Sequence, residues 1–262
     1  MSDQNNDVVI KNVSKTYELK NEKLQVLKDI NLDVKKGEFI TVVGASGCGK
    51  STLLKLISGL EGISEGSIEL GGVPVKEPDG VCGMVFQEAR LCPWLNVYSN
   101  IAFGLKKKVS RAEKKELVGR YIELVGLSGF EKALPEQLSG GMQQRASIAR
   151  ELVGDPDILL LDEPFGALDA ITRINMQQEV LRIWQSQKKT MILVTHDIDE
   201  AIYLGDRVVV LSSRPGTIRN VIKVDLPRPR GRSSAAFIEI RSRIYKEFFD
   251  DAHYEENVEY YI

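Results

Sequence analysis

Residues 44–51 read GASGCGKS and fit the phosphate-loop pattern G-x-x-x-x-G-K-[ST] at every fixed position. The glycines let the backbone curl until its N–H groups face one point, and the following helix adds the positive end of its dipole. In such a loop Lys50 reaches the β- and γ-phosphates, and the Ser51 hydroxyl is a ligand of Mg²⁺. The pattern predicts a nucleoside triphosphate site with Mg²⁺, lined by Gly44, Ala45, Ser46, Gly47, Cys48, Gly49, Lys50, Ser51 and Thr52.

Two adjacent carboxylates, Asp162 and Glu163, follow the apolar run ILLL at residues 158–161. A buried carboxylate is costly unless it is paired, and a cation supplies such a partner. We therefore predict that Asp162 completes the Mg²⁺ shell, directly or through water. From residue type alone, Glu163 could instead begin a helix or form a salt bridge.

The stretch LSGGMQQR at residues 138–145 predicts a second helix start that can bind an anion. Ser139 can cap the helix, while Gly140 and Gly141 leave its first N–H groups open to phosphate. One nucleotide needs only one such cradle. We therefore predict that this second cradle serves a nucleotide bound to another subunit.

Together, the phosphate loop, LSGGMQQR and ILLLDE resemble the ATP-binding cassette (ABC) ATPases, the nucleotide-driven subunits of ABC transporters, over nearly the whole chain. The resemblance implies that two cassettes pair head to tail and sandwich two ATP molecules. The signature then contacts the partner's ATP through Ser139, Gly140, Gly141 and Gln143. The commonest fifth residue of this signature is Gln; here it is Met142, which leaves the backbone donors unchanged.

The same resemblance implies roles for single polar or aromatic residues near strand ends. Glu163 matches the residue that polarises the attacking water, and His196 matches the switch histidine that contacts the γ-phosphate. Gln87 matches the Q-loop glutamine, which touches Mg²⁺ and relays contact with a partner. Asp169 matches the D-loop residue that couples the two ATP sites, and Tyr17 matches the aromatic that stacks on adenine. By residue type alone, His196 and Tyr17 would more often be structural.

The resemblance implies an α/β fold, in which a P-loop NTPase (RecA-like) core carries an N-terminal antiparallel β subdomain and an inserted α-helical subdomain (the ABC ATPase fold). Alternating patterns at 8–14 and 24–34 predict strands of the N-terminal sheet. Short apolar runs at 39–43 and 191–194 are typical of buried parallel strands.

The chain shows no internal repeat, which indicates a single cassette. We predict an ATPase domain over residues 1–230, with the helical subdomain inserted at about 89–155, where helical patterns replace β-branched runs. A helical tail is predicted over residues 231–262. The stretch DLPRPRGR at 225–232 looks like the linker to this tail.

Composition narrows the classes of partner. The formal net charge is −2, from 35 basic and 37 acidic side chains, so a nucleic-acid partner is disfavoured. No apolar stretch approaches the roughly 18 residues of a membrane span, and the polar start MSDQNNDVV lacks a signal core. We expect a peripheral protein at the cytoplasmic face of the cell membrane, held there by a partner.

Several stretches, including GMVFQEARLCPWLNVYSNIAFGL and VVVLSSRPGTI, resemble importer ATPases of the nitrate, sulfonate, taurine and bicarbonate group. That resemblance implies a second copy or a paralogous ATPase subunit, integral-membrane permease subunits and, indirectly, a solute-binding protein. Trp94, Val97 and Tyr98 match the groove where the permease docks, with core packing as the alternative.

Two other classes stay open at this stage. A non-transport ABC ATPase, acting on ribosomes or chromosomes, would normally show paired cassettes or a long coiled coil. A phosphate-loop kinase would lack the LSGGM signature. This chain has neither paired cassettes nor a long coiled coil, and it does carry the LSGGM signature.

Overall fold

In the computed structural model, residues 6–18, 20 and 22–249 are described, and they form two β-sheets and seven α-helices. The strands are β1 (Asn6–Glu18), β2 (Lys23–Lys35), β3 (Phe39–Val43), β4 (Glu65–Leu70), β5 (Val73–Pro74), β6 (Cys82–Val85), β7 (Ile158–Asp162), β8 (Thr190–Thr195), β9 (Arg207–Leu211) and β10 (Ile218–Lys223). The helices are α1 (Lys50–Ile57), α2 (Val97–Phe103), α3 (Arg111–Leu124), α4 (Gly140–Val153), α5 (Ala170–Gln187), α6 (Ile198–Leu204) and α7 (Ala235–Phe249).

The smaller sheet is antiparallel and has the order β2-β1-β4-β5. The larger sheet has the order β10-β9-β3-β8-β7-β6, in which only β10 runs antiparallel to its neighbour. The predicted strands and the α/β fold class are confirmed. Every residue of β3, β7 and β8 is buried, as the continuous apolar runs indicated.

Side chains of the large sheet alternate between two apolar clusters. Leu159 and Leu161 face a cluster shared with α2 to α7, whereas Ile158 and Leu160 face a cluster shared with α1 and the small sheet. This period of two follows from the pleat of a strand. The large sheet therefore forms the middle layer of the molecule.

Helices α2, α3 and α4 lie between β6 and β7 in the chain and pack on one another. Each begins at a side-chain cap, since Asn96, Ser110 and Ser139 each accept a hydrogen bond from the N–H three residues later. Such caps satisfy N–H groups that a helix start leaves without a partner. The helical character predicted for this part of the chain is confirmed.

The stretch at 225–232 has no regular secondary structure, but it does not behave as a free spacer. The guanidinium of Arg230 is buried and donates to the carbonyls of Ile202 and Gly205, both at 2.6 Å. Beyond it, α7 buries Phe237 and Ile244 in the core and extends to residue 249. The rest of the predicted tail, residues 250–262, lies outside the described residues.

Candidate active site

The loops that follow the parallel strands meet at one edge of the large sheet. Val43 of β3 lies opposite Thr195 of β8, and Val85 of β6 lies opposite Leu161 of β7. Because the loops after parallel strands leave the sheet at the same edge, ligand sites commonly form at the carboxyl ends of such strands. The predicted residues that come next in the chain therefore lie along this edge: Gly44, Gln87, Asp162, Glu163 and His196.

The phosphate loop wraps around the ammonium group of Lys50. Its Nζ donates to the carbonyls of Gly44 at 2.8 Å and Ala45 at 3.2 Å, and the side chain is buried. Gly49 precedes α1 with a φ of 106°, and a Cβ there would lie 2.6 Å from a methyl carbon of Leu27. Both the left-handed backbone and the close approach require glycine at this position.

Ser51 and Asp162 are joined across the site. The Ser51 hydroxyl donates to Asp162 Oδ1 at 2.8 Å. Burial raises the pKa of Asp162, the Ser51 hydrogen bond opposes this, and the charge of Glu163 adds to it. A nearby divalent cation would stabilise the ionised carboxylate.

The donor set fits Mg²⁺, which takes oxygen ligands and is commonly held by one or two carboxylates plus substrate phosphates. Ser51 and Asp162 supply a hydroxyl and a carboxylate side by side. Within the described residues, no group of three or more His, Cys, Asp or Glu side chains could hold a metal ion. A metal at this edge would therefore depend on phosphate oxygens and water for the rest of its shell.

Glu163 and His196 form a second pair at the same edge. Glu163 Oε2 lies 3.0 Å from His196 Nδ1, and because a carboxylate only accepts, the proton of this bond belongs to Nδ1. The Glu163 side chain is 18% exposed, whereas that of His196 is 69% exposed. Glu163 also has a φ of 43°, a strained value for a residue with a Cβ. The pair thus holds a carboxylate in a defined direction, with the imidazole at the open side.

Gln87 lies two residues beyond β6 and is exposed. The residue before it is anchored, because the carbonyl of Phe86 accepts from Gln144 Nε2 at 2.9 Å. Gln144 belongs to α4 and is almost completely buried. It links the signature helix to the segment that carries Gln87, and sequence reasoning missed it although it is the next residue after Gln143.

The LSGGM stretch begins α4, as predicted, with Ser139 Oγ accepting from the Met142 N–H at 3.3 Å. Ser139 and Gly140 are exposed. The side chain of Gln143 turns toward its own chain, where Nε2 donates to the carbonyls of Pro135 at 2.9 Å and Leu138 at 3.3 Å. Among the described residues, no hydrogen bond joins this helix start to the phosphate loop.

Asp169 caps α5 by accepting from the Thr172 N–H at 3.0 Å. Hydrogen bonds from the Thr172 side chain and then from its N–H lower the pKa of the Asp169 carboxyl. The residue before it, Leu168, approaches the signature, since a Cβ on Gly141 would lie 3.1 Å from its side chain. The segment that precedes α5 therefore touches the start of α4 within one chain.

Tyr17 lies on β1 opposite Leu24 and is half-buried. Two residues earlier, Lys15 pairs with Leu27, the residue that contacts Gly49 of the phosphate loop. The ammonium of Lys15 lies 4.7 Å from the centre of the Tyr17 ring. The β1–β2 ribbon therefore contacts the phosphate loop through Leu27, and Tyr17 lies on the same ribbon.

The aromatic stretch after Gln87 divides between surface and core. Val97 is completely buried and Tyr98 is half-buried, so core packing describes Val97. Trp94 is 76% exposed, and Phe103 at the end of α2 is 70% exposed. Trp94 and Phe103 are therefore large apolar side chains, in the segment that follows Gln87 in the sequence, that the core does not cover.

A parallel sheet with a phosphate loop, a Ser–Asp pair and a carboxylate at its carboxyl edge defines a P-loop ATPase. Residues 27–166 match the ABC transporter family. The chain is 51% identical over 241 residues to the aliphatic sulfonates import ATP-binding protein SsuB of Bacillus cereus, covering 92% of this chain and 95% of that protein. It is 50% identical to an uncharacterized ABC transporter ATP-binding protein of Methanocaldococcus jannaschii, covering 92% and 91%.

Solved structures agree. A dimeric bacterial ABC transporter cassette superposes with a TM-score of 0.77 at 34% identity, covering 86% of this chain and 99% of that one. A dimeric cassette in a post-hydrolysis state with ADP and phosphate gives a TM-score of 0.76 at 33% identity. The chain belongs to the ABC transporter family, and it is an ATP-binding and ATP-hydrolysing subunit of such a transporter. Among the described residues, no helix has the length and apolarity to cross a bilayer.

Proposed function

We propose that this chain powers an importer for a small anionic solute of the sulfonate type, by ATP-driven head-to-tail dimerisation of two ATPase subunits below a separate membrane permease. Relatives named as aliphatic sulfonates import proteins, at 48 to 54% identity, support the solute class. The two dimeric cassettes support the pairing. The protein then lies at the cytoplasmic face of the membrane through its permease, and a solute-binding protein delivers the solute from the other side.

The observation that carries the pairing is the contrast between the two helix starts. Lys50 of the phosphate loop is buried and bonded within its own chain, whereas Ser139 and Gly140 of the signature are exposed. An exposed helix start with glycines is a ready anion site. We infer that each ATP is held between the phosphate loop of one subunit and the LSGGM stretch of the other.

In this arrangement, different side chains of this chain bind the phosphates, bind the metal ion and orient the attacking water. Lys50 binds the β- and γ-phosphates, while Ser51, Asp162 and Gln87 hold Mg²⁺. When bound, Mg²⁺ neutralises charge that develops on the phosphate oxygens. Glu163 orients and polarises the attacking water, and His196 holds the Glu163 carboxylate through the 3.0 Å contact and faces the γ-phosphate.

Two contacts support communication with other subunits. Gln144 joins α4 to the carbonyl of Phe86, so a movement near Gln87 reaches the signature helix directly. Asp169, next to Leu168 at the signature, couples the two ATP sites. We infer that the permease docks on the surface marked by the exposed Trp94 and Phe103.

The test is purification from membranes with identification of the subunits that co-purify, followed by reconstitution. We expect a multi-span permease to co-purify, and ATPase activity that rises with a loaded solute-binding protein. A panel of aliphatic sulfonates, taurine, nitrate and bicarbonate identifies the solute. Co-sedimentation with ribosomes instead of a permease would contradict the transport role, and so would a phosphorylated small product.

A further inference from the structure

The loop between β9 and β10, residues 212–217, lies against the phosphate loop although it is far from it in the sequence. The N–H of Gly216 donates to the carbonyl of Val26 at 2.8 Å, and its carbonyl accepts from the Lys28 N–H at 3.0 Å. On its other side, a Cβ on Gly216 would lie 2.2 Å from the carbonyl oxygen of Cys48. The loop is therefore wedged between β2 and the phosphate loop, with no room for a side chain at Gly216.

Arg214 extends this contact to the carbonyl of Gly47. Its Nη2 lies 2.9 Å and its Nε 3.2 Å from that oxygen, so one guanidinium donates twice to one acceptor. Gly47 has a φ of 75°. Hydrogen bonds from a charged donor are stronger than neutral ones, and this one holds the peptide that follows the left-handed turn at Gly47.

The loop that carries Arg214 is itself well ordered by internal hydrogen bonds. Ser212 Oγ accepts from the Thr217 N–H at 2.9 Å and donates to the carbonyl of Pro215 at 3.0 Å. The Ser212 N–H also donates to the Thr217 carbonyl at 2.9 Å. Arg214 therefore projects from a fixed support rather than from a free loop.

We propose that Arg214 is a positioning residue of the nucleotide site, acting through the Gly47–Cys48 peptide. A carbonyl and the next N–H point in opposite directions because the peptide is planar and trans. When Arg214 holds the Gly47 oxygen on the outside, the Cys48 N–H turns to the inside of the loop, where it lies 3.3 Å from the Ala45 oxygen. The guanidinium also places a positive charge beside a site for a polyanion.

This inference rests on the nucleotide site of the proposed function, and the test separates the two. ATP affinity is measured by calorimetry for the full chain and for three variants: Arg214→Ala, Arg214→Lys and Arg219→Ala. Arg219 is a matched control, because it is an exposed arginine of the same hairpin that donates to a backbone carbonyl, that of Glu247. If the unmodified chain does not bind ATP, the proposed function fails.

We expect Arg214→Ala to weaken ATP binding about ten-fold, the effect of losing one charged hydrogen bond at an exposed site. Arg214→Lys restores most of the affinity, and Arg219→Ala stays within about two-fold of the unmodified chain. Without nucleotide, the melting temperature of Arg214→Ala falls by no more than about 5 °C, as for a single lost hydrogen bond, so the variant is folded in the binding assay. The KM for ATP rises while kcat changes less, because the loop is displaced but the water-orienting groups are intact.

A second pair of variants tests the wedge without touching Arg214. Gly216→Ala forces a Cβ against the Cys48 carbonyl, whereas Gly231→Ala meets no atom within 4 Å. We expect the first to weaken ATP binding and the second to leave it unchanged. The inference is overturned if Arg214→Ala binds ATP like the unmodified chain, if Arg214→Lys is no better than Ala, or if Arg219→Ala loses as much affinity.

Discussion

The starts of α1 and α4 both have the glycine-rich sequence expected of a phosphate site, but they differ in what else this chain supplies there. At α1 the left-handed Gly49 provides no side-chain cap, and Lys50 and Ser51 add a charge and a metal ligand. At α4 the cap is Ser139, no cation follows within the first turn, and the surface is open. We call the first start the half-site for a nucleotide, and we call the second, which under the proposed pairing covers the partner's nucleotide, the lid.

The start of α6 differs from those of α1 and α4 because it carries acidic side chains. At α6, Asp197 accepts from the Glu200 N–H at 3.0 Å, and the first turn carries two acidic side chains of its own. These carboxylates occupy the positive end of the helix and would repel a phosphate. The first turns of α1 and α4 carry no acidic side chain, so this repulsion is absent there.

The largest expected effect comes from Glu163→Gln, which keeps the shape of the site but removes the charge that orients water. We expect turnover to fall by at least ~100-fold, as for loss of a general base, while ATP still binds. With ATP trapped at both sites, the chain forms a stable dimer, which light scattering detects. Adding Ser139→Arg to this variant blocks the dimer if α4 closes the partner's site. Near-normal turnover of the single variant would contradict the role of Glu163.

Lys50→Ala tests the half-site. It removes a buried positive charge that faces the triphosphate, so we expect ATP affinity to fall by roughly 10- to 100-fold and hydrolysis to fall with it. Calorimetry measures the affinity, and Lys107→Ala, at an exposed position, is the control. If Lys50→Ala and the unmodified chain bind ATP equally well, the start of α1 is not the site that binds the nucleotide.

Ser139→Arg and Tyr17→Ala separate the lid from the half-site. The first should leave ATP binding to the single chain nearly intact while preventing dimer formation and hydrolysis. The second loses a base–aromatic stack worth about 1–3 kcal/mol, or roughly 5- to 150-fold in affinity. ATP affinity at low protein concentration is compared with light scattering at high concentration. If Ser139→Arg weakens binding to the single chain as much as Tyr17→Ala does, α4 serves its own chain's nucleotide.

The smallest effect concerns the acidic start of α6. Burial, and then the charge of Asp197, raise the pKa of Glu200 from 4.5 to about 7. Because the folded state binds this proton more tightly than the unfolded state, its contribution to stability is full below about pH 4.5 and is lost as the pH rises through 7.

Glu200→Gln should therefore remove part of the pH dependence of stability. We expect its free energy of unfolding, relative to the unmodified chain, to rise by roughly 2 kcal/mol between about pH 5 and pH 8. Urea unfolding at several pH values measures this difference. Glu116→Gln, at an exposed position, should show no such trend. A constant difference for Glu200→Gln would mean that Glu200 stays ionised in the folded protein.

Local patterns in the sequence predicted the elements that position the site. The buried strands predicted from apolar runs at 39–43 and 191–194 form as β3 and β8, and the helix predicted after the phosphate loop begins at Lys50. Ser139 caps α4 as its residue type indicated. These features depend on residues a few positions apart, so spacing and capping preferences are enough to identify them.

Contacts between distant segments were decided only by the tertiary structure. Nothing local to Arg214 indicates that it reaches Gly47, and the linker pattern at 225–232 gave no sign that Arg230 would be buried. The same holds for the bond from Gln144 to Phe86. Which loops meet depends on strand order, and β9 lies beside β3 although most of the chain separates these two strands in the sequence. The sequence by itself determined the chemistry of each loop, and the order of the strands decided which loops act together.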